Sequence, residues 1–586
     1  MTVIEQRPAP AIAEVAPVPT ERPRVSVRNL SVAFETSSGV RQIVEGVSFD
    51  LEPGRCVAIV GESGSGKSVT ARTIVGLTGR GARVEADALE LHGRDVRSLD
   101  SRQWRNVRGR EVGFILQDAL VSLDPLRPVG AEIAETLKLH GWRSRSARRA
   151  KVIDLLDAVG VPSPELRARQ RSGQLSGGLR QRALIASALA LDPDVIIADE
   201  PTTALDVTVQ AQVLDLLEQS RRRGASIILI SHDLSVVAQL ADHILVMQDG
   251  RVVEQGPASV LLRHPREEYT KALIAAVPSE ETRGSALSPA GAELLAAAEA
   301  AGSRYVADAS PRPTESASAS PRPAAAEVVL EAHGLVKHFR APDGSSTTAV
   351  DDVSFALRRG ETLGIVGESG SGKSTTGRIA LALETPDAGE VTLLGNPWTS
   401  LTESRRRASR QHIGVVSQDP LSSFDPRWNV ERILRDALPA GQFPTAAGRG
   451  ERIVELLDQV GLPEAVLARF PLRLSGGQRQ RIAIARALAA SPDVLVLDEA
   501  VSALDVTIQA QILDLLVALQ QRLGLSYLFI SHDLGVISHL SHRVLVMKDG
   551  RVVEEGVPDD IFNRPQHPYT QQLIASIPAF EPRSTT

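Results

Sequence analysis

The chain has 586 residues, 42% of them hydrophobic, a formal net charge of −6 and a single cysteine, Cys56. The length exceeds what one core fills and predicts roughly three or four domains or subdomains, in a composition typical of soluble globular proteins. A lone cysteine excludes a disulfide framework and a Cys-ligated cluster. The mildly acidic balance gives no overall basic field for nucleic acid, and apolar runs such as Val195–Ala198 and Ile227–Ile230 fall far short of the ~18 residues of a membrane span.

In chain order, residues 1–23 hold five prolines and no apolar core segment, which predicts a disordered tail rather than a signal peptide. A first globular unit is expected over 24–278. The apolar run Cys56–Val60 leads into Gly61–Ser68, Gly-Glu-Ser-Gly-Ser-Gly-Lys-Ser. That segment fits G-x-x-x-x-G-K-[ST], the phosphate-cradling loop. Gly61, Gly64 and Gly66 let the backbone wrap an anion closely, and the following helix adds its positive end. Lys67 is placed to reach the β- and γ-phosphates and Ser68 to ligate Mg²⁺.

Gln117 ends the next strand pattern, Val112–Leu116. Ser176, Gly177 and Gly178 follow Leu175 and precede a helical pattern over Arg180–Leu191. Ser-Gly-Gly opening a helix is a second anion site. It is redundant within a unit that already has one, and makes sense if it closes over the triphosphate of another unit. Asp199 and Glu200 end the apolar run Val195–Ala198. Alone, an acidic pair there reads as well as a solvated turn. Beside a phosphate loop, Asp199 suits the metal and Glu200 the attacking water, because a strand reverses side-chain direction at each step. His232 follows Ile227–Ile230 and is expected to reach the γ-phosphate and water. Ile244–Met247, Asp249-Gly250 and Arg251–Glu254 read as a closing hairpin. Short β-branched runs alternating with helical patterns predict an α/β unit with a mainly parallel sheet.

Residues 279–326 are rich in Ala, Ser, Pro and Glu, with Ser310-Pro311-Arg312-Pro313 echoed at Ser320-Pro321-Arg322-Pro323. This composition predicts a tether acting through reach rather than contact. Ala292–Ala301 has the length of about three helical turns, marginal for an isolated helix.

The second unit, expected over 327–578 before a short tail at 579–586, repeats the first. Its phosphate loop is the same eight residues at Gly367–Ser374, with Gly370, Gly372, Lys373 and Ser374 in the corresponding places, 306 positions on. Gln418, Ser475-Gly476-Gly477, Asp498-Glu499, Asp505 (matching Asp206 of the first unit) and His532 recur in the same order, and Val544–Glu554 repeats the hairpin. A period near 300 residues is a domain duplication.

The order of phosphate loop, Gln, Leu-Ser-Gly-Gly, apolar strand with Asp-Glu, Ala-Leu-Asp and His resembles the ATP-binding cassette (ABC) ATPases over nearly all of both units. The resemblance implies two tandem P-loop NTPase cassettes, each with a helical subdomain carrying the Leu-Ser-Gly-Gly segment, packed head to tail around two ATPs with Mg²⁺. One site then combines Lys67, Ser68, Gln117, Asp199, Glu200 and His232 with Ser475, Gly476 and Gly477. The other combines Lys373, Ser374, Gln418, Asp498, Glu499 and His532 with Ser176, Gly177 and Gly178. On this reading Ser68, Asp199 and Gln117, and Ser374, Asp498 and Gln418, face the metal. Glu200, Glu499, His232 and His532 serve catalysis, and Phe34 and Phe339 lie where the family stacks an aromatic on adenine.

A narrower likeness is to the peptide/nickel (dipeptide/oligopeptide) importer branch. It is carried by Ser122–Pro125, by Leu-Asp-Val-Thr at 205–208 and 504–507, and by His264-Pro265 with Tyr269-Thr270, echoed at His567–Thr570. That branch usually has two separate ATPase subunits; this chain resembles both fused, without the cysteine-rich tail many members carry. It departs at Leu179, where Gln478 stands in the second unit, and at Ala500-Val501, where the first unit has Pro201-Thr202. The expected function is to power an importer, with peptide as first choice of cargo and glutathione, nickel and a peptide antibiotic as alternatives. Expected partners are two integral-membrane permease subunits and an extracytoplasmic substrate-binding protein, with the chain peripheral at the cytoplasmic face of the inner membrane. The alternative is a soluble tandem cassette acting on ribosomes or nucleic acid; the Pro/Ser/Ala-rich linker and acidic balance weigh against it. A drug-exporter half is opposed by the lack of a fused membrane span.

Overall fold

A computed structural model describes residues 22–300 and 327–577, apart from 37–38, 118–121, 203–204, 341–345, 440 and 503. Most of the N-terminal tail, the linker from residue 301 and the C-terminal tail therefore lie outside the described residues. No helix among the described residues is long and apolar enough to cross a membrane.

Each cassette is built on a six-stranded sheet. In the first, Val112–Ile115, Val195–Asp199, Ser226–Ile230, Cys56–Val60 and His243–Gln248 lie parallel in that spatial order, and Arg251–Pro257 closes the edge antiparallel. The central strands Cys56–Val60, Val195–Asp199 and Ser226–Ile230 are buried at every residue, which is why they read as continuous apolar runs rather than alternating ones. The expected hairpin is present. Asp249 and Gly250 both take left-handed backbone, φ 48° and 84°, as a tight turn matched to strand twist requires. The second cassette repeats the order with Ile413–Val416, Val494–Asp498, Ser526–Ile530, Thr362–Val366, Arg543–Lys548 and Arg551–Gly556.

A separate antiparallel sheet, absent from the sequence reading, covers one face. Val25–Thr36 pairs with Gly39–Leu51 in the first cassette, and Val328–Arg340 with Ser346–Arg358 in the second. Its inward residues, such as Val27, Leu30 and Val47, form one core with Ile59, Ile197, Ile228 and the helix residues Ala71 and Ile74. The opposite face packs helices, including the subdomain Val129–Leu139, Arg145–Ala158 and Gly177–Ala188.

The linker expectation is corrected in its first part. Residues 279–300 are docked on the second cassette. Arg283 donates from Nε to Ser538 O (2.8 Å) and from Nη1 to Asp559 Oδ1 (2.6 Å). Leu287 N and Ser288 Oγ both donate to Asp514, at 2.9 and 2.6 Å. Helix Pro289–Ala300 then packs on helix Val506–Leu523, with Leu287 and Ala298 buried. Composition misled here because a few well-placed apolar residues suffice when the receiving surface belongs to another domain. The neighbouring helix also supplies the tertiary contact that a short isolated helix lacks.

Candidate functional site

The phosphate loops are fixed by their glycines. Gly61 has φ +143°, and a Cβ there would sit 2.1 Å from Met247 O; at Gly367 the corresponding distance is 2.2 Å to Met547 O. Gly66 and Gly372 are barred by Ile43 O and Ala349 O, at 2.8 and 2.2 Å, so the antiparallel sheet presses against the loop. Gly64 and Gly370 are uncrowded, and their φ of +86° alone favours glycine. The helices that follow, Lys67–Ile74 and Lys373–Ala380, have no side-chain cap and no acid in the first turn. Their leading N–H groups are thus open to an anion.

Lys67 and Lys373 are buried. Lys67 Nζ donates to Gly61 O and Glu62 O, both at 2.7 Å; Lys373 does so to Gly367 O and Glu368 O, at 2.6 and 2.8 Å. Burial lowers the pKa of both ammoniums, against opposing charges. Those charges include one from the other cassette in each case, Asp505 at Lys67 and Asp206 at Lys373.

Ser68 Oγ donates to Asp199 Oδ1 at 2.8 Å and Ser374 Oγ to Asp498 Oδ1 at 3.0 Å. Asp199 is fully buried and its Oδ2 has no hydrogen-bond partner; burial raises its pKa, against the Ser68 bond. That oxygen has only a long ion pair, to Arg72 Nη2 at 3.9 Å, so the buried carboxylate beside the Ser68 hydroxyl still fits a hard divalent cation. Among the described residues no three His, Cys, Asp or Glu side chains converge to cage a metal. An ion at this pair would therefore complete its shell with phosphate and water oxygens, as Mg²⁺ does in nucleotide sites.

Glu200 and Glu499 do not continue the strand. Both take left-handed backbone, φ 50° and 51°, with N–H bonded to Ile230 O and Ile530 O at 2.9 Å. The division between Asp and Glu thus comes from a turn rather than from strand alternation. Each glutamate is gripped by two residues, one expected at the metal and one at the γ-phosphate and water. Gln117 Nε2 donates to Glu200 Oε2 (2.9 Å), and His232 Nδ1 lies 3.4 Å from Oε1; Gln418 and His532 do the same to Glu499. Burial depresses each imidazole, but the facing glutamate outweighs it and the net shift is upward. Both His loops line one cavity of about 820 Å³ between the cassettes.

The two cassettes touch at their phosphate loops. Thr507 Oγ1 donates to Glu62 Oε1 (2.8 Å) and Thr208 Oγ1 to Glu368 Oε1 (2.7 Å), each bond crossing between cassettes. Sequence reasoning gave these four residues no role, although the Glu and the Thr recur in both copies of their motifs. Burial lowers the pKa of Arg182, against the charges of Asp206 and of Glu368 in the other cassette. Arg182 lies in the helix that Ser176 opens.

Ser176 and Ser475 are N-caps, accepting from Leu179 N (3.4 Å) and Gln478 N (3.2 Å). Those helices begin at Gly177 and Gly476, earlier than their apolar pattern, because the cap and glycines belong to the first turn. Gln478 Oε1 also accepts from Ser475 N, completing a capping box that Leu179 lacks. Phe34 is half-buried against the first antiparallel core. Phe339 is 44% exposed, with Lys337 Nζ 5.6 Å from its ring centre.

The ABC transporter family model matches residues 44–203 and 350–502, which hold both phosphate loops, Gln117 and Gln418, the Ser-Gly-Gly segments and the Asp-Glu pairs, and the oligopeptide/dipeptide transporter C-terminal region matches 253–307 and 553–586. The chain belongs to the ABC transporter family. It is 42% identical to the oligopeptide transport ATP-binding protein OppD of Mycobacterium bovis, over 96% of this chain and 99% of the relative. It is 41% identical to the glutathione import ATP-binding protein GsiA of Escherichia coli, over 95% of this chain and 90% of that protein. A solved bacterial ABC transporter cassette, described as dimeric, aligns at 30% identity over 39% of this chain and 98% of its own, with a TM-score of 0.36. The chain is an ATP-binding cassette ATPase whose cofactor ion is Mg²⁺.

Proposed function

We propose that this chain is the complete ATPase of a peptide importer, with both ATP sites hydrolysing. The observation that carries it is the duplicated geometry. Each phosphate loop holds its own Lys, Ser–Asp pair and Gln–Glu–His trio, and each meets the opposite cassette through a Glu–Thr bond. Ser68 with Asp199, and Ser374 with Asp498, would hold Mg²⁺, assisted by the amide oxygens of Gln117 and Gln418. Bound there, the ion supplies charge neutralisation across the β- and γ-phosphates. Glu200 and Glu499 accept the proton of the attacking water, kept in place by the Gln amide and the imidazole. Ser176, Gly177, Gly178 and Ser475, Gly476, Gly477 close over the triphosphate of the opposite cassette, and Phe34 and Phe339 face adenine. ATP makes more contacts in the closed pair than in the open one, and that difference lets it drive closure. Two membrane permease subunits would receive the motion, and an external binding protein would deliver the peptide.

The test is co-purification and uptake. Expressed with its permeases, the chain should copurify with them and drive entry of a labelled oligopeptide into proteoliposomes that hold ATP inside and the binding protein outside. The Glu200→Gln/Glu499→Gln form should not. Sedimentation with ribosomes and no membrane recovery would refute the reading.

A further inference from the structure

The repeated His-Pro and Tyr-Thr segments at 264–270 and 567–570 have no part in the chemistry above, yet both end at a phosphate loop. Each is anchored to the closing hairpin. Glu254 accepts from Arg266 N (2.9 Å) and Glu267 N (3.2 Å), and Glu554 from Gln566 N (2.8 Å) and His567 N (3.1 Å). The helices that follow, Glu268–Ala275 and Pro568–Ala575, bring a tyrosine to the loop. Glu62 N donates to Tyr269 Oη at 2.9 Å, and Glu368 N to Tyr569 Oη at 3.0 Å.

The same peptide unit makes both critical bonds. Gly61 O and Glu62 N belong to one rigid amide plane. Its carbonyl accepts from Lys67 Nζ and its N–H donates to the tyrosine. In the second cassette Gly367 O and Glu368 N repeat this with Lys373 and Tyr569. The residue before each amide is a glycine at φ +143° or +147°, so no side chain there restrains that plane. Burial pushes both phenols up to about 12, against the bond from the loop, so they stay neutral acceptors at physiological pH. Beyond its backbone, the Glu62 side chain is held by Thr507, and that of Glu368 by Thr208, of the other cassette.

We propose that Tyr269 and Tyr569 are positioning residues of the two ATP sites, each locking the amide plane that aims the phosphate-loop lysine. This rests on reading the loops as ATP sites. Loss of the hydroxyl frees the plane and lets the lysine carbonyl contacts drift, while the ring keeps its packing. The lysine then meets the triphosphate less well in ground and transition states alike, so KM rises and kcat holds.

The experiment uses the full chain with Tyr269→Phe, Tyr569→Phe and both. Mg-ATP titration and steady-state ATPase should show KM raised about 3- to 10-fold in the double variant, the worth of one buried neutral hydrogen bond, with kcat within about twofold. Hydrogen exchange gives a second readout. The Glu62 amide should lose protection in Tyr269→Phe while the strand Cys56–Val60 keeps its own. A lower Tm with unchanged KM and an unchanged Glu62 amide would make the tyrosines merely structural and overturn the proposal. If the wild-type chain binds no Mg-ATP, the reading of the loops fails and takes this proposal with it. If it binds and the double variant binds equally well, only the proposal fails.

Discussion

Glu200 and Glu499 carry an unusual backbone, φ 50° and 51°, that the groups around them hold in place. A side chain in the left-handed region is strained, and such strain persists only where surrounding bonds fix it. Here the backbone N–H, the Gln amide and the imidazole fix it in both cassettes. Against their burial, the facing glutamate raises the pKa of His232 and of His532, so each imidazole and its glutamate favour one another's charged form. Glu→Gln keeps the shape and removes the basicity. Each single variant should therefore bind Mg-ATP as the parent does and lose most transport, and the double variant should lose about 10²–10⁴-fold in kcat. It should accumulate as a closed, ATP-filled chain. Single-turnover hydrolysis alongside equilibrium nucleotide binding measures both. Near-parental turnover in Glu200→Gln beside a dead Glu499→Gln would mean one site is regulatory.

At the scale of elements, two features are open to measurement. The helix Gly177–Ala188 lacks the reciprocal cap that Gln478 gives its counterpart; Leu179→Gln completes the box but gives up Leu179's packing on the first core, so the two effects offset and stability should change by less than about 1 kcal/mol. Tm should stay nearly level and ATPase change by only a few-fold, because Ser176 and the glycines are untouched. The docked segment 279–300 carries a pH dependence. His539, facing Thr282 Oγ1 at 3.0 Å beside Arg283, is buried; that burial, reinforced by Arg283, pushes it down to about 4. His542 is depressed by the same two causes, and Asp559 pairs with Arg283 on its other side. Above pH 6.5 His539 is neutral folded or unfolded and costs nothing. As pH falls toward 4 the unfolded chain binds a proton the folded one refuses, and stability drops by up to about 3 kcal/mol. Melting curves and limited proteolysis of 279–300 between pH 7 and 4 should show this loss, and His539→Gln should flatten it.

For the whole molecule, the decisive feature is which cassette serves which site. The crossing Thr–Glu bonds, and the charges of Asp505 at Lys67 and Asp206 at Lys373, set the phosphate loops against each other's cassettes. Ser176→Arg, at an exposed cap, should then silence the site containing Lys373 and spare nucleotide trapping at Lys67. Photo-crosslinked nucleotide in halves separated by a protease site placed within 301–326 would tell them apart. Loss at Lys67 instead would contradict the head-to-tail reading.

The sequence by itself determined the duplication, the parallel-strand core and the candidate residues of the two sites. Phosphate loops and helix-opening Ser-Gly-Gly are built by backbone geometry within a few residues, so residue type and spacing suffice to read them, whereas the turn that parts each Asp from its Glu was not legible. Tertiary structure alone decided what joins distant segments. The Thr–Glu bonds span 160 and 445 positions, and the Tyr–Glu bonds 207 and 201. The antiparallel sheet escaped notice because its half-buried strands lack the continuous apolar runs of the central ones. The docked part of the linker escaped it because Leu287 and Ala298 become core only against a surface supplied by the second cassette. Local pattern encodes which groups can do chemistry; which of them meet depends on packing between surfaces whose complementarity no short window contains.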